Sequence, residues 1–251
     1  MSGHSKWASI KHKKKATDAK RGQEFTKLSR AIIVAVRDGG PDAANNLALQ
    51  NAIEKARQAS MPKDTIERAI ARASGEGADA AAYETVTYEG YGPGGVAVYV
   101  EALTDNRNRT ASDVRHIFSK NDGNLGESGV VAWLFERKGV VLVPAEGVDE
   151  DELMLAAADG GAEDVERDES SFRVICAPEE LAAVRGALEE AGYSIEDARP
   201  TMLPKTTVDV EEESVARKIV RLMDALEEND DVQDVYANFD IPERIMEAVA
   251  A

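Results

Sequence analysis

Cysteine is almost absent from this chain. Cys176 is the only one in 251 residues, so no internal disulfide can staple the fold, and a reducing compartment fits. Histidine is nearly as scarce, with only His4, His12 and His116, and no Cys or His cluster has zinc spacing. Apolar runs such as Ala31–Val36 and Val130–Phe135 fall far short of the roughly 18 residues that a membrane helix needs. The cationic N-terminus is not followed by an apolar segment, which argues against a secretory signal. These absences predict a cytoplasmic protein with no metal site and no membrane partner.

Charge, by contrast, is abundant. The chain has 30 Lys+Arg against 47 Asp+Glu, a formal net charge of −17. That sum hides an asymmetry. Residues 1–37 hold ten basic and two acidic side chains, a net +8. Residues 38–72 balance, and residues 73–251 carry −25. A basic end on an acidic body points to nucleic-acid or membrane contact by that end, with a solvated cationic tail as the competing reading.

Organisation follows from periodicity. Residues 1–22 lack apolar spacing and are expected to be a basic mobile arm, turning helical from Thr17. Residues 23–78 read as a small helical domain. Its three helices run through Phe25–Val36, through Leu49–Ala56, and from Pro62 to a stop at Gly75. Period-two alternation begins at Tyr83, with strands through Val86–Tyr88 and Val96–Val100. A helix is expected around Ala111–Ser119, and strands at Val130–Phe135 and Val140–Val143. A further strand is expected at Tyr193–Ala198, and the last stretch reads as a strand near Thr206–Val210, a helix through Val215–Leu226 and a strand at Val232–Phe239. Residues 139–200 read β-α-β-β-α-β, the ferredoxin-like order. The fold class expected is therefore α+β in three domains. A helical bundle is followed by a discontinuous α+β domain (79–135 and 204–241), into which a ferredoxin-like domain (136–203) is inserted.

Motifs for catalysis are weak. Gly90-Tyr91-Gly92-Pro93-Gly94-Gly95 fits G-x-G-x-x-G literally, but a strand follows it where a dinucleotide site needs a helix, so it reads as a hairpin turn. Kinase and Walker signatures are missing. Cys176 lies in an apolar strand pattern and reads as a buried, inert thiol. No catalytic residue, cofactor or small-molecule substrate is assigned, and a non-enzymatic protein is expected. The basic arm is different. Lys6, Lys11, Lys13, Lys14, Lys15, Lys20 and Arg21 can neutralise phosphates, His12 sits among them, and Trp7 can stack on an unpaired base. Lys27 and Arg30 extend the cationic stretch. A second spot, Asn106-Arg107-Asn108-Arg109, precedes the helix expected at 111 and offers contacts to phosphate or base edges; an ordinary capping loop is the competing reading.

These residues resemble the YebC/PmpR family, whose members include the mitochondrial translational activator of cytochrome c oxidase. The resemblance is carried by Gly3-His4-Ser5-Lys6-Trp7, Ile10-Lys11-His12-Lys13-Lys14, Lys20-Arg21-Gly22, Met61-Pro62-Lys63-Asp64, Tyr88–Gly95, Thr104–Thr110 and Gly123-Asn124-Leu125-Gly126. It implies a helical N-terminal domain, two α+β domains and a cytoplasmic regulator without catalysis. Its members are described either as DNA-binding transcriptional regulators or as translation factors that act on ribosomes at proline-rich stretches. The resemblance thus implies DNA or ribosomal RNA, and with it the ribosome, as partner. Where members often carry arginines ahead of the second helix's Ile53-Glu54-Lys55-Ala56, this chain has Ala48 and Gln50. That departure moves the expected contact to the arm and to residues 106–110.

Overall fold

The structure, a computed structural model, describes residues 18–74, 83–167 and 171–250. They fall into two compact bodies: residues 134–205 form one, and the residues before and after them form the other.

The described residues begin with α1 (Asp18–Gly39), α2 (Leu47–Gln58) and α3 (Lys63–Ser74). Ile32, Val36, Leu49, Ala56 and Ile66 recur at helical spacing and are buried together, each large aliphatic contributing about 1.5–3 kcal/mol. Asn46 ties the first two helices together. Its side-chain oxygen accepts from the Leu49 N–H as the α2 cap, while its amide donates to the carbonyls of Ala35 and Gly40 at 2.7 and 2.8 Å. Gly40, at φ +84°, ends α1 in a conformation that suits glycine.

Next come β1 (Glu84–Tyr91), β2 (Ala97–Thr104), α4 (Arg107–Lys120) and β3 (Asn124–Leu125). Strands β1 and β2 pair antiparallel in full register, Tyr88 opposite Val100, around a turn holding Gly94 at φ +72°. The G-x-G-x-x-G stretch is therefore a hairpin turn.

Residues 130–134 are not the expected strand. The Glu89 carboxylate, 4% exposed, accepts the backbone N–H groups of Gly129, Val131 and Ala132 at 2.7, 2.8 and 2.7 Å. Those donors are then lost to any ladder, and Ala132–Leu134 forms a short 3₁₀ turn instead.

The second body follows as β4 (Phe135–Pro144), α5 (Glu150–Asp159), β5 (Ala162–Arg167), β6 (Ser171–Cys176), α6 (Leu181–Glu190) and β7 (Asp197–Pro204). Its antiparallel strands lie in the order β5-β6-β4-β7, the ferredoxin-like arrangement. Leu153, Ala157, Val184 and Leu188 of the helices cover Val141, Val143, Phe172 and Val174. Strand β7 runs from Asp197 to Pro204, later than the 193–198 expected. Pro200 and Pro204 fall within it, which an edge position tolerates.

The chain then re-enters the first body with β8 (Val208–Asp209), α7 (Glu213–Glu227), β9 (Val232–Ala237), β10 (Phe239–Asp240) and α8 (Glu243–Ala250). The sheet order is β3-β1-β2-β9, with β8 and β10 as a separate parallel pair. Val98, Val100, Val114, Phe118, Ile219, Met223, Leu226 and Val235 form its core. The sequence reading missed α8. Pro242 ahead of it and the spacing of Ile245, Met246 and Val249 were the available signals.

Candidate nucleic-acid interface

Of the arm residues singled out, Lys6, Trp7, Lys11, His12, Lys13, Lys14 and Lys15 lie outside the described residues. So does the expected mobility of the arm. Lys20 and Arg21 sit on α1, and their side chains are not among those described. Lys27 and Arg30 turn toward the sheet-bearing part of their own body. The Lys27 ammonium donates to the Glu227 carbonyl at 2.5 Å. The Arg30 guanidinium donates to Asp231 Oδ1 and to the Asp230 carbonyl, both at 2.8 Å, and lies 5.4 Å from the centre of the Tyr83 ring. These two cations fasten α1 to the end of α7 and the turn before β9.

Residues 106–110 are not a loop before a helix. They are the cap and first turn of α4, which starts four residues earlier than the periodicity suggested. Asn106 is the N-cap, accepting the Arg109 N–H at 3.1 Å. Arg107 and Asn108 are exposed, and Arg107 lies 3.7 Å from Glu84. Arg109 donates to Asp105 and to Asp231 Oδ2, each at 2.8 Å. Thr110 is buried and donates to Asp231 Oδ2 at 2.7 Å.

Asp231 is the residue that sequence reasoning missed. It stands 122 positions beyond Arg109, and nothing in its local pattern marks it. Burial alone would push its carboxyl up. The hydrogen bonds from Arg109 and Thr110, with the charges of Arg109 and Arg30, outweigh burial and hold it below the ordinary carboxylate range. The same pairing raises the Arg109 guanidinium further above its already high value. Within the 106–110 spot, Arg109 is thus neutralised locally, and outward reach rests with Arg107 and Asn108.

Other chemistry finds little footing. The Cys176 thiol is fully buried, burial pushes it up from its ordinary value, and it donates to the Gly139 carbonyl at 3.6 Å, so it is no activated nucleophile. His116 is exposed on α4. Among the described residues, no group of His, Cys, Asp and Glu is placed to hold a metal ion, and no helix is long and apolar enough to cross a membrane.

Comparison with known proteins covers nearly the whole chain. The sequence profile of the TACO1/YebC protein N-terminal domain matches residues 5–76, and that of the TACO1/YebC second and third domain matches residues 83–239. A "probable transcriptional regulatory protein" of Rubrobacter xylanophilus is 62% identical over 250 residues, covering 100% of both chains. One from Desulfotalea psychrophila is 55% identical over 250 residues, with the same coverage. The crystal structure of a conserved hypothetical protein from Aquifex aeolicus, 53% identical, superposes with a TM-score of 0.79 over 90% of this chain and 93% of that one.

Proposed function

Since this chain belongs to the TACO1/YebC family, we propose that it is a non-enzymatic regulator of gene expression that grips nucleic acid through its basic N-terminal arm. The observation that carries this reading is the segregation of charge, +8 in residues 1–37 against −25 in residues 73–251. Lysines neutralise phosphates and release counterions, whereas an acidic body pressed along a duplex would be repelled. Contact by the arm, with Arg107 and Asn108 as a second point, satisfies both conditions.

The names of the relatives support transcriptional control, and DNA is the target that such a role would take. The acidity of the body favours a second reading, in which a translation factor inserts its arm into ribosomal RNA. Two assays from one lysate separate them: co-sedimentation with ribosomes and capture on promoter DNA. Sequence-dependent capture supports the first reading. Ribosome association without it supports the second, and binding in neither assay overturns the nucleic-acid reading altogether.

A further inference from the structure

The glycine-rich motifs of residues 90–95 and 123–126 have a structural task that the arm does not explain. A Cβ on Gly90 would lie 2.5 Å from the Asn124 carbonyl oxygen, and one on Gly126 would lie 2.7 Å from Val130 Cγ1. Glycine at both places lets the 123–132 segment lie flat on β1, where the buried Glu89 carboxylate holds it. At the outer end, the Val130 carbonyl accepts two bonds, from Trp133 Nε1 at 3.1 Å and from the Tyr91 hydroxyl at 3.3 Å.

Both polar tips thus converge on one carbonyl oxygen at the surface, and the two residues remain exposed. Trp133 is 65% exposed and Tyr91 36%. A buried carboxylate and two tight glycines hold a loop whose outer end displays two aromatic rings.

The chemistry of the display narrows its ligand. With its N–H donor engaged, the indole offers π surface and no hydrogen-bond code. Among the described residues of this body, Tyr91 and Trp133 are the only exposed large hydrophobic side chains, so the display lacks the wider apolar core of a protein interface. A small flat ring suits such a surface, and base–aromatic stacking needs no sequence-specific partner. Bases within a duplex are already stacked and unavailable.

We propose that Trp133 and Tyr91 form a stacking platform for an unpaired nucleobase, a contact separate from the phosphate-gripping arm. The inference rests on the nucleic-acid reading above and assigns it a single-stranded ligand.

Trp7 and Trp133 are the two tryptophans, so the full-length W7F protein reports Trp133 fluorescence alone. It is titrated with a fluorescein-labelled 12-mer of oligoadenylate and with a 12-base-pair RNA duplex, anisotropy recording binding independently. Oligoadenylate is expected to quench the indole emission and the duplex to leave it unchanged. In the otherwise wild-type protein, W133L should weaken oligoadenylate binding at least about fivefold. W133F should retain most of the affinity, and neither variant should alter the salt slope, since no phosphate contact is lost. Oligoadenylate binding by anisotropy with unchanged emission, full affinity in W133L, or equal quenching by the duplex overturns the platform and leaves the arm reading standing. Failure of both probes to bind overturns the nucleic-acid reading and the platform with it.

Discussion

Arg30 and Asp231 meet at 2.8 Å across 201 residues of sequence. The pair fastens the helical part of the first body to its sheet, and Asp231 accepts Arg109 and Thr110 on its other oxygen. Removing its charge leaves two guanidinium groups facing a neutral amide. Asp231→Asn should cost about 3 kcal/mol at neutral pH, the low end for a broken buried pair, because Arg109 is 46% exposed. Urea denaturation measures it.

The pH dependence has a definite sign. Asp231 titrates lower in the folded state than its ordinary value of 3.8. Its contribution is therefore complete above that value and fades as pH falls through the lower, folded value. The stability gap between wild type and Asp231→Asn should hold constant from pH 7 to about pH 5 and narrow below about pH 4. A gap that widens on acidification would contradict the assignment.

Glu89→Gln removes an acceptor that serves three N–H groups. The amide can present only one oxygen, and its NH₂ meets donors. A loss of about 2 kcal/mol is expected, with a red shift of Trp133 emission in a W7F background as the loop loosens. Thermal unfolding and the fluorescence maximum read the two effects.

Two glycines should respond oppositely to alanine. Gly90→Ala forces a Cβ to 2.5 Å from the Asn124 carbonyl oxygen and 2.9 Å from the Phe118 ring, and backbone cannot yield cheaply. It should destabilise by about 2 kcal/mol. Gly186 lies within α6 with nothing within 4 Å of an added Cβ, so Gly186→Ala should stabilise by about 0.5–1 kcal/mol. Paired melting curves test both.

Deleting residues 1–21 should weaken nucleic-acid binding by roughly tenfold or more and flatten its salt dependence, each lost phosphate contact lowering the log–log slope by about 0.7–0.9. Affinity measured across a salt series decides it. An unchanged slope would reduce the arm to a tail.

Local pattern made much of this fold legible. The spacing of Ile32 and Val36, the alternation of Val96, Val98 and Val100, and the β-α-β-β-α-β order of 139–200 each reflect burial on one face, which sequence encodes directly. Long-range polar partners left no such trace. Glu89 looks like any strand glutamate until its three donors, 40 to 43 residues later, are in place, and all but the last residue of the strand expected at 130–135 is then bend and 3₁₀ turn. Asn106 was a stronger clue, since a polar side chain three residues ahead of Arg109 is a cap signal that starts α4 before its apolar spacing does. The candidate site divides the same way. Cationic density marked the arm, but only the folded chain brings Lys27, Arg30 and Arg109 to Glu227, Asp230 and Asp231.

The two prolines of β7 bear on self-association. Pro200 and Pro204 pair opposite Gly139 and Phe135 of β4 and share one parity along an edge strand. Lacking N–H groups, they put their blank positions on the side away from β4, so the outer border of that sheet lacks donors where an incoming strand would need them. Ala198 and Met202, of the same parity, keep their N–H groups, so extension of the sheet by a second copy across that border is weakened by covalent structure, independent of salt or pH.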